Sequence, residues 1–309
     1  MPRIIFFGSS DFSQPGLQAC LDSPGYEIAA VVTTPPQRQG RGLELTPTVI
    51  ASFCAKKNIL FREYPKLDDA AYQEIADLKP DVFVVASYGK IIPERFLALP
   101  SQRFNIHPSL LPKYRGASPL SSPILNGDAV TGLSIADITK ELDAGEVYFQ
   151  EECPIRSGDD SEKLGAMLAA KSYSVMRELL ERARLGKVTG SPQDSNQASY
   201  AKKLNKEDGR LTLQDTAQKW DRIIRGLKPW PGAFIEMRSE RLGLITARPL
   251  SGQSGAKVGQ LLSVSQESMV VQVSEGAIEL LLVKPAGKKG MRGGDYARGR
   301  RWNVGMNLA

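Results

Sequence analysis

Histidine is almost missing from this chain: among 309 residues there is one, His107. Imidazole chemistry therefore has a single address, and cages or relays built from several histidines are excluded. Cysteine is scarce as well. Cys20, Cys54 and Cys153 are odd in number and far apart, which argues against a disulfide framework or a thiolate zinc cluster and for reduced thiols; no metal is expected. No run approaches the roughly 18 apolar residues of a membrane helix. Met1-Pro2-Arg3 passes straight into strand-like Ile4-Ile5-Phe6-Phe7 without a signal or transit segment, so a cytoplasmic protein with no membrane partner is expected. Internal repeats, low-complexity tracts and heptads are absent too, which removes solenoids and coiled coils.

What is present is an ordinary globular composition, 41% hydrophobic and 24% charged, over a length that suits two domains. The charge is unevenly spread. From Lys206 onward there are 17 Lys and Arg against 10 Asp and Glu, whereas residues 1–205 carry 23 against 24. The net positive charge thus lies in the last third, where it either meets a phosphate-rich partner or serves solubility.

The first half alternates strand and helix signals. Ile4-Ile5-Phe6-Phe7-Gly8 followed by Ser9-Ser10-Asp11-Phe12 reads as a buried strand, a glycine turn and a capped helix, with Leu17, Cys20 and Leu21 at helical spacing. Strands follow at Ile28-Ala29-Ala30-Val31-Val32-Thr33, near Leu60-Phe61 and over 81–85, with helices expected over 46–57 and 70–78. This α/β alternation predicts a Rossmann-like, mostly parallel sheet with helices on both faces. The first turn lacks the second and third glycines of the dinucleotide fingerprint, so nicotinamide and flavin are disfavoured. A long amphipathic helix over 161–185 closes this first domain, expected to span 1–189.

His107 stands in Phe104-Asn105-Ile106-His107-Pro108-Ser109-Leu110-Leu111-Pro112, where a short strand runs into a proline-studded loop. Asn105 and His107 are two apart, so on an extended backbone they leave the same face. They do so at the sheet edge where ligands of open α/β folds gather. An amide donor and an imidazole so placed suit an acyl centre. Asp143, in Leu142-Asp143-Ala144-Gly145-Glu146, is a carboxylate that the fold can return to His107, where it would fix the imidazole's tautomer. The bland alternatives are a lone histidine satisfied in the core and an aspartate capping its own turn. Arg38 and Arg41, in the glycine- and proline-rich loop 35–47, are open between ligand contact and solvated charge.

Glycine, serine and proline collect after the long helix, so a linker is expected over 190–205 and a second domain over 206–309. In that domain Ala217, Trp220, Ile223, Ile224 and Leu227 have helical spacing, stopped by Lys228-Pro229-Trp230-Pro231-Gly232. Five short β-like runs between 232 and 283 predict a small OB-like β-barrel. Lys284, Lys288, Lys289, Arg292, Arg298, Arg300 and Arg301 then crowd the end with Asp295 as the acid among them.

A resemblance runs along the whole chain. It is carried by Ser87-Tyr88-Gly89-Lys90-Ile91-Ile92-Pro93, by Asn105 through Pro112 and on to Arg115-Gly116, and by Leu142 through Glu146. Tyr200-Ala201-Lys202-Lys203-Leu204, Ile224 through Ala233 and Gly287-Lys288-Lys289-Gly290-Met291 add to it. In order and spacing these stretches resemble the methionyl-tRNA formyltransferase family. The resemblance implies transfer of a formyl group from 10-formyltetrahydrofolate to the amino group of methionine on the initiator tRNA. Asn105, His107 and Asp143 become the implied catalytic trio. Ser109, Leu110, Leu111 and Pro112, with Tyr88 and Gly89, are implied to lie against the folate. Arg38, Arg41, Lys288, Lys289 and Arg292 are implied to meet the tRNA, and a monomer is expected. The chain departs from the usual bacterial pattern at Pro108, where glycine is common, at Leu43-Glu44, where a basic pair is common, and within Leu142 through Glu146.

Two rival readings differ in class. A formyltransferase acting on a nucleotide-linked amino sugar would use the same trio and folate pocket, but its second domain need not be basic. A non-catalytic RNA-binding protein would leave the co-occurrence of Asn105, His107 and Asp143 unexplained.

Overall fold

Seven strands of the first half pair into one sheet. They are β1 (Arg3–Gly8), β2 (Glu27–Thr33), β3 (Phe61–Glu63), β4 (Val82–Ala86), β5 (Gln102–His107), β6 (Val130–Ala136) and β7 (Val147–Pro154), in the order β7-β6-β5-β4-β1-β2-β3. The pairs β1/β2, β1/β4, β2/β3 and β4/β5 are parallel, while β6 and β7 join as an antiparallel edge. The order reverses between β1 and β4, which puts the ligand crevice of such a fold at the carboxyl ends of β1, β4 and β5. Helices Ser13–Leu21, Val49–Lys57, Asp69–Asp77 and Ser161–Arg184 cover the faces. Thr48 and Asp68 cap two of them, accepting from Ala51 N (3.0 Å) and Ala71 N (3.1 Å). Between the layers Phe7 packs edge-on to Phe83, 5.0 Å between ring centres.

This computed structural model describes residues 1–39, 44–238, 240–252 and 255–309, and it divides into two units. The first comprises Met1–Pro119, Val130–Pro154 and Leu164–Lys202; the second comprises Leu120–Ala129, Ile155–Lys163 and Lys203–Ala309. That division differs from domains cut at 189 and 206. Up to Lys202 the stretch read as a linker is bound to the first unit by its backbone: Ser191 and Val147 exchange bonds of 2.8 and 2.9 Å, and Tyr200–Ala201 pairs with Arg115–Gly116. Two segments expected in the first domain instead join the second unit. Ser161 Oγ donates to Gly226 O at 2.5 Å, Arg225 donates to Asp159 O at 2.6 Å, and Lys228 pairs with Asp160 at 3.1 Å.

In the second unit β8 (Arg210–Leu211), β9 (Ala233–Met237), β10 (Glu240–Leu250), β11 (Leu261–Val264), β12 (Met269–Gln272), β13 (Ala277–Pro285) and β14 (Met291–Arg292) form an OB-like sheet. Its order is β8-β9-β10-β13-β12-β11, with β14 on β13, and all pairs but β8/β9 are antiparallel. The five anticipated runs are β9 to β13. They share a core with the helix Ala217–Gly226, whose Trp220 is fully buried among Leu211, Leu242, Val271 and Leu280 and donates its indole N–H to Thr212 O at 3.0 Å. The helix Gly293–Gly299 was not anticipated. Its leading glycines are poor helix formers, but a Cβ at Gly293 would stand 2.0 Å from Leu280 O, so glycine is what lets this helix lie on β13.

The early loop is a short hairpin, Gln37–Gln39 paired antiparallel with Glu44–Thr46. Arg41 and Leu43 lie outside the described residues.

Candidate active site

The carboxyl end of β5 carries Asn105 and His107 out of the sheet. Asn105 is registered with Val85 on β4 and with Ala136 on β6, and His107 with Ser134. The imidazole is buried, and its Nε2 lies 2.9 Å from Tyr114 O. A carbonyl oxygen can only accept, so Nε2 carries the proton and Nδ1 is the nitrogen turned to the site. Asp143 Oδ2 is 3.7 Å from Nδ1. That distance is an electrostatic contact and too long for a hydrogen bond.

Asp143 bonds elsewhere. Its Oδ1 accepts from Asn105 Nδ2 at 2.8 Å and its Oδ2 from Gly116 N at 2.8 Å. The structure therefore brings together all three residues that the sequence singled out, with Asp143 fastened to Asn105 more tightly than to His107. One amide hydrogen of Asn105 is spent on Asp143; the other remains for a ligand.

The turn bearing Asp143 is held from both ends. Asp143 itself adopts φ +51°, a conformation uncommon outside glycine that surrounding contacts must maintain. A Cβ at Gly145 would lie 2.2 Å from Asp137 O, so this turn closes only on glycine. Arg103 grips Asp137 through two parallel bonds of 2.9 and 3.0 Å, and that carboxylate raises the guanidinium above its ordinary range. On the other side Gln193 Nε2 donates to Asp143 O (2.8 Å) and Gly145 O (2.7 Å), while its Oε1 accepts from Arg115. Sequence reading missed Gln193, whose polar, proline-flanked surroundings carry no signal of a site.

The loop expected against folate, Ser109 to Pro112, is pinned from below. Ser134 Oγ donates to Ser109 O (2.6 Å) and accepts from Leu111 N (3.1 Å), and Gln150 Nε2 donates to Leu111 O (2.8 Å). The Leu111-Pro112 peptide is cis. Ser109 is fully buried, with Oγ donating to Lys113 O (2.6 Å), and Leu111 is buried as well. Leu110 rests on Gly132, where a Cβ would stand 2.4 Å from its Cδ2. Tyr88 points its ring into the core, edge-on to Phe7 at 5.4 Å, where burial pushes its phenol up to about 12. What this residue offers a ligand is backbone at the turn through Gly89, which has φ +79°. Both turns leave neighbouring strand ends, since Ala86 is registered with Ile106.

The cations expected at a polyanion fall into two groups. Arg38 is exposed on the hairpin, and Lys288 and Lys289 are exposed between β13 and β14 with no ion pair among the described residues. Arg292 instead pairs with Glu267 at 2.6 Å, Arg298 with Asp295 at 2.6 Å, and Arg300 with Glu240. Glu240 and Glu267 are distant in sequence, which is why the terminal cluster looked uncompensated. Among the described residues no helix is long and apolar enough to cross a membrane, and no group of three or more His, Cys, Asp or Glu is placed to hold a metal ion.

Residues 2–180 match the family model described as formyl transferase, and residues 203–301 the one described as formyl transferase, C-terminal domain. The chain is 36% identical over 299 residues, 96% of both chains, to a Thermus thermophilus protein named methionyl-tRNA formyltransferase. It is 37% identical over 310 residues, 99% of this chain and 98% of the relative, to a Roseiflexus castenholzii protein of the same name. Among solved structures it is similar to the N-formyltransferase from Helicobacter canadensis in complex with folinic acid and dTDP-3-aminofucose, with a TM-score of 0.69, 17% identity, and coverage of 91% of this chain and 99% of that one. HypX from Aquifex aeolicus in complex with tetrahydrofolic acid is similar at a TM-score of 0.63 and 17% identity, over 96% of this chain and 46% of that one. At such identity the two structures speak for the fold alone.

Proposed function

The chain belongs to the formyl transferase family, and from that premise we propose that it transfers a formyl group from 10-formyltetrahydrofolate to the amino group of methionine on initiator methionyl-tRNA, for initiation of translation. The observation that carries this reading is end-to-end likeness to methionyl-tRNA formyltransferases across both units. The convergence of Asn105, His107 and Asp143 supports the chemistry. The excess of cations after Lys206 suits a tRNA better than a nucleotide-linked amino sugar.

The trio divides the work as follows. The neutral amine attacks the formyl carbon, a C–N bond forms, and the formyl oxygen takes up negative charge. The free amide hydrogen of Asn105 and the protonated Nδ1 of His107 stabilise that oxyanion, each well-placed donor contributing about 3 kcal/mol. Asp143 fixes the amide of Asn105 by direct hydrogen bond and faces Nδ1 of His107 from 3.7 Å. As the nearest carboxylate it receives the proton the amine sheds. Collapse breaks the bond to folate N10, which takes that proton from Asp143 and leaves as tetrahydrofolate, restoring the carboxylate. No covalent enzyme intermediate is required, and all three cysteines are buried, Cys54 with a thiol pushed by burial up to about 11.

The backbone of Ser109 to Pro112 and the half-buried side chains of Leu110 and Pro112, with the Tyr88-Gly89 turn, are the proposed wall for the folate. Arg38, Arg41, Lys288, Lys289 and Arg292 are the proposed tRNA contacts, with Arg292 weakened in that role by its pairing to Glu267. The reading includes a cytoplasmic, monomeric enzyme, because translation is its setting and the trio comes from one chain.

The test offers the purified protein its formyl donor with either methionine-charged initiator tRNA or a nucleotide-linked amino sugar. Formylmethionyl-tRNA is the expected product. Formylation of the sugar alone would transfer the assignment to the alternative class.

A further inference from the structure

Gln193 makes four hydrogen bonds with one amide. Both acceptors of its Nε2, Asp143 O and Gly145 O, are carbonyls, and both donors to its Oε1, at 3.1 and 2.8 Å, belong to the Arg115 guanidinium. The amide can face only one way in that setting. Arg115 is itself 1% exposed, with Nη1 3.6 Å from Glu141 Oε1. A buried guanidinium is costly unless its donors are engaged, so the pair is a fixed unit. Its neighbours are fixed as well: Arg115 N donates to Ser199 O (2.9 Å), and Gly116 N to the Asp143 carboxylate.

What this unit holds is the one residue of the trio with a strained backbone. Resting on the reading that Asp143 serves formyl transfer, we propose that Gln193, locked by Arg115, is a positioning residue that sets the Asp143 carboxylate against Asn105 and His107. Without its two bonds, the φ +51° conformation of Asp143 relaxes and the carboxylate swings off Asn105. A misplacement on the order of 1 Å costs up to about a hundredfold in rate. The competing account is that Gln193 merely staples residues 191–201 to the rest of the first unit.

Gln193→Glu separates the two accounts. It keeps an acceptor for Arg115, and so the staple, but sets oxygens against the carbonyls of Asp143 and Gly145. The measurements are kcat, both KM values and thermal midpoint for the wild type, Gln193→Glu, Asp143→Asn and the double variant. The expected result is a fall in kcat of about ten- to a hundredfold, with both KM values and the midpoint near wild type. Gln193→Glu should add almost nothing in the Asp143→Asn background, because residues acting through one another are non-additive. Wild-type kcat in Gln193→Glu, or losses that multiply in the double variant, would overturn the proposal while leaving Asp143 its role. Full activity in Asp143→Asn would remove the catalytic reading itself and the proposal with it. Should Gln193→Glu lower the midpoint, Arg115→Lys, which keeps the charge but loses the two-pronged grip, is measured in its place with the same coupling expected.

Discussion

Gly116 donates its backbone N–H to the Asp143 carboxylate at 2.8 Å, across 27 residues of sequence. The bond depends on a glycine twice over, through φ +109° and through a missing Cβ that would stand 2.8 Å from Ala201 O. Because the obstacle is backbone, it cannot rotate aside. Gly116→Ala should lower stability by about 1–3 kcal/mol and should lose formyl transfer beyond what the unfolded fraction explains. Denaturant unfolding and kcat on the same preparation check both; an alanine variant with wild-type kcat would show that this bond does not matter to the reaction.

His107→Ala, Asn105→Ala and Asp143→Asn should each stay folded and lose at least about a hundredfold in kcat. The first two remove donors to the oxyanion. The third removes the charge that orients Asn105 and faces Nδ1. Full activity in any of the three purified variants would end that residue's place in the mechanism.

How much of this was readable depends on the range of the contact. Asn105 and His107 stood out because two-residue periodicity on one strand puts them on one face. The parallel core β1 to β5 was legible from apolar runs alternating with helices, whereas β7, Val-Tyr-Phe-Gln-Glu-Glu-Cys-Pro, is an edge strand too polar to announce itself. Asp143 was reachable only as a carboxylate near a strand end. Gln193 was not reachable at all, since its function comes from two carbonyls and a guanidinium that no spacing links. Tyr88 shows the converse: its stretch stands out in sequence, but nothing there tells that the ring turns into the core to pack on Phe7.

Acid should act on the second unit through Asp215. Its carboxylate accepts from Thr212 N (2.7 Å), Thr212 Oγ1 (3.0 Å) and Lys219 Nζ (2.5 Å). Burial pushes this carboxyl up, but Lys219 and the Thr212 donors outweigh burial and hold it below the usual carboxylate range. A carboxyl depressed in the folded state contributes stability that is complete above its unfolded pKa and is lost as pH falls through the folded one. Asp215→Asn should therefore cost on the order of 1 kcal/mol at neutral pH, with the gap to wild type closing in acid. Unfolding curves at neutral pH and near pH ~3 decide this, and a gap of constant size would mean the charge contributes nothing.

Lys288 and Lys289 stand apart from Arg292, Arg298 and Arg300, which already hold acidic partners. A paired guanidinium must give up its carboxylate before it can neutralise a phosphate, while a free ammonium releases a counterion at once. Replacing Lys288 and Lys289 together by Gln should weaken tRNA binding and flatten the slope of log affinity against log salt by about one to two units, since each phosphate contact contributes up to roughly 0.9. The KM for the formyl donor should hold, because its proposed wall lies in the first unit. Arg292→Gln should change the slope less than either lysine does. If the double substitution left the tRNA constant and its salt dependence as they were, these lysines would serve solubility alone, and the tRNA contact would have to be sought on the hairpin that bears Arg38.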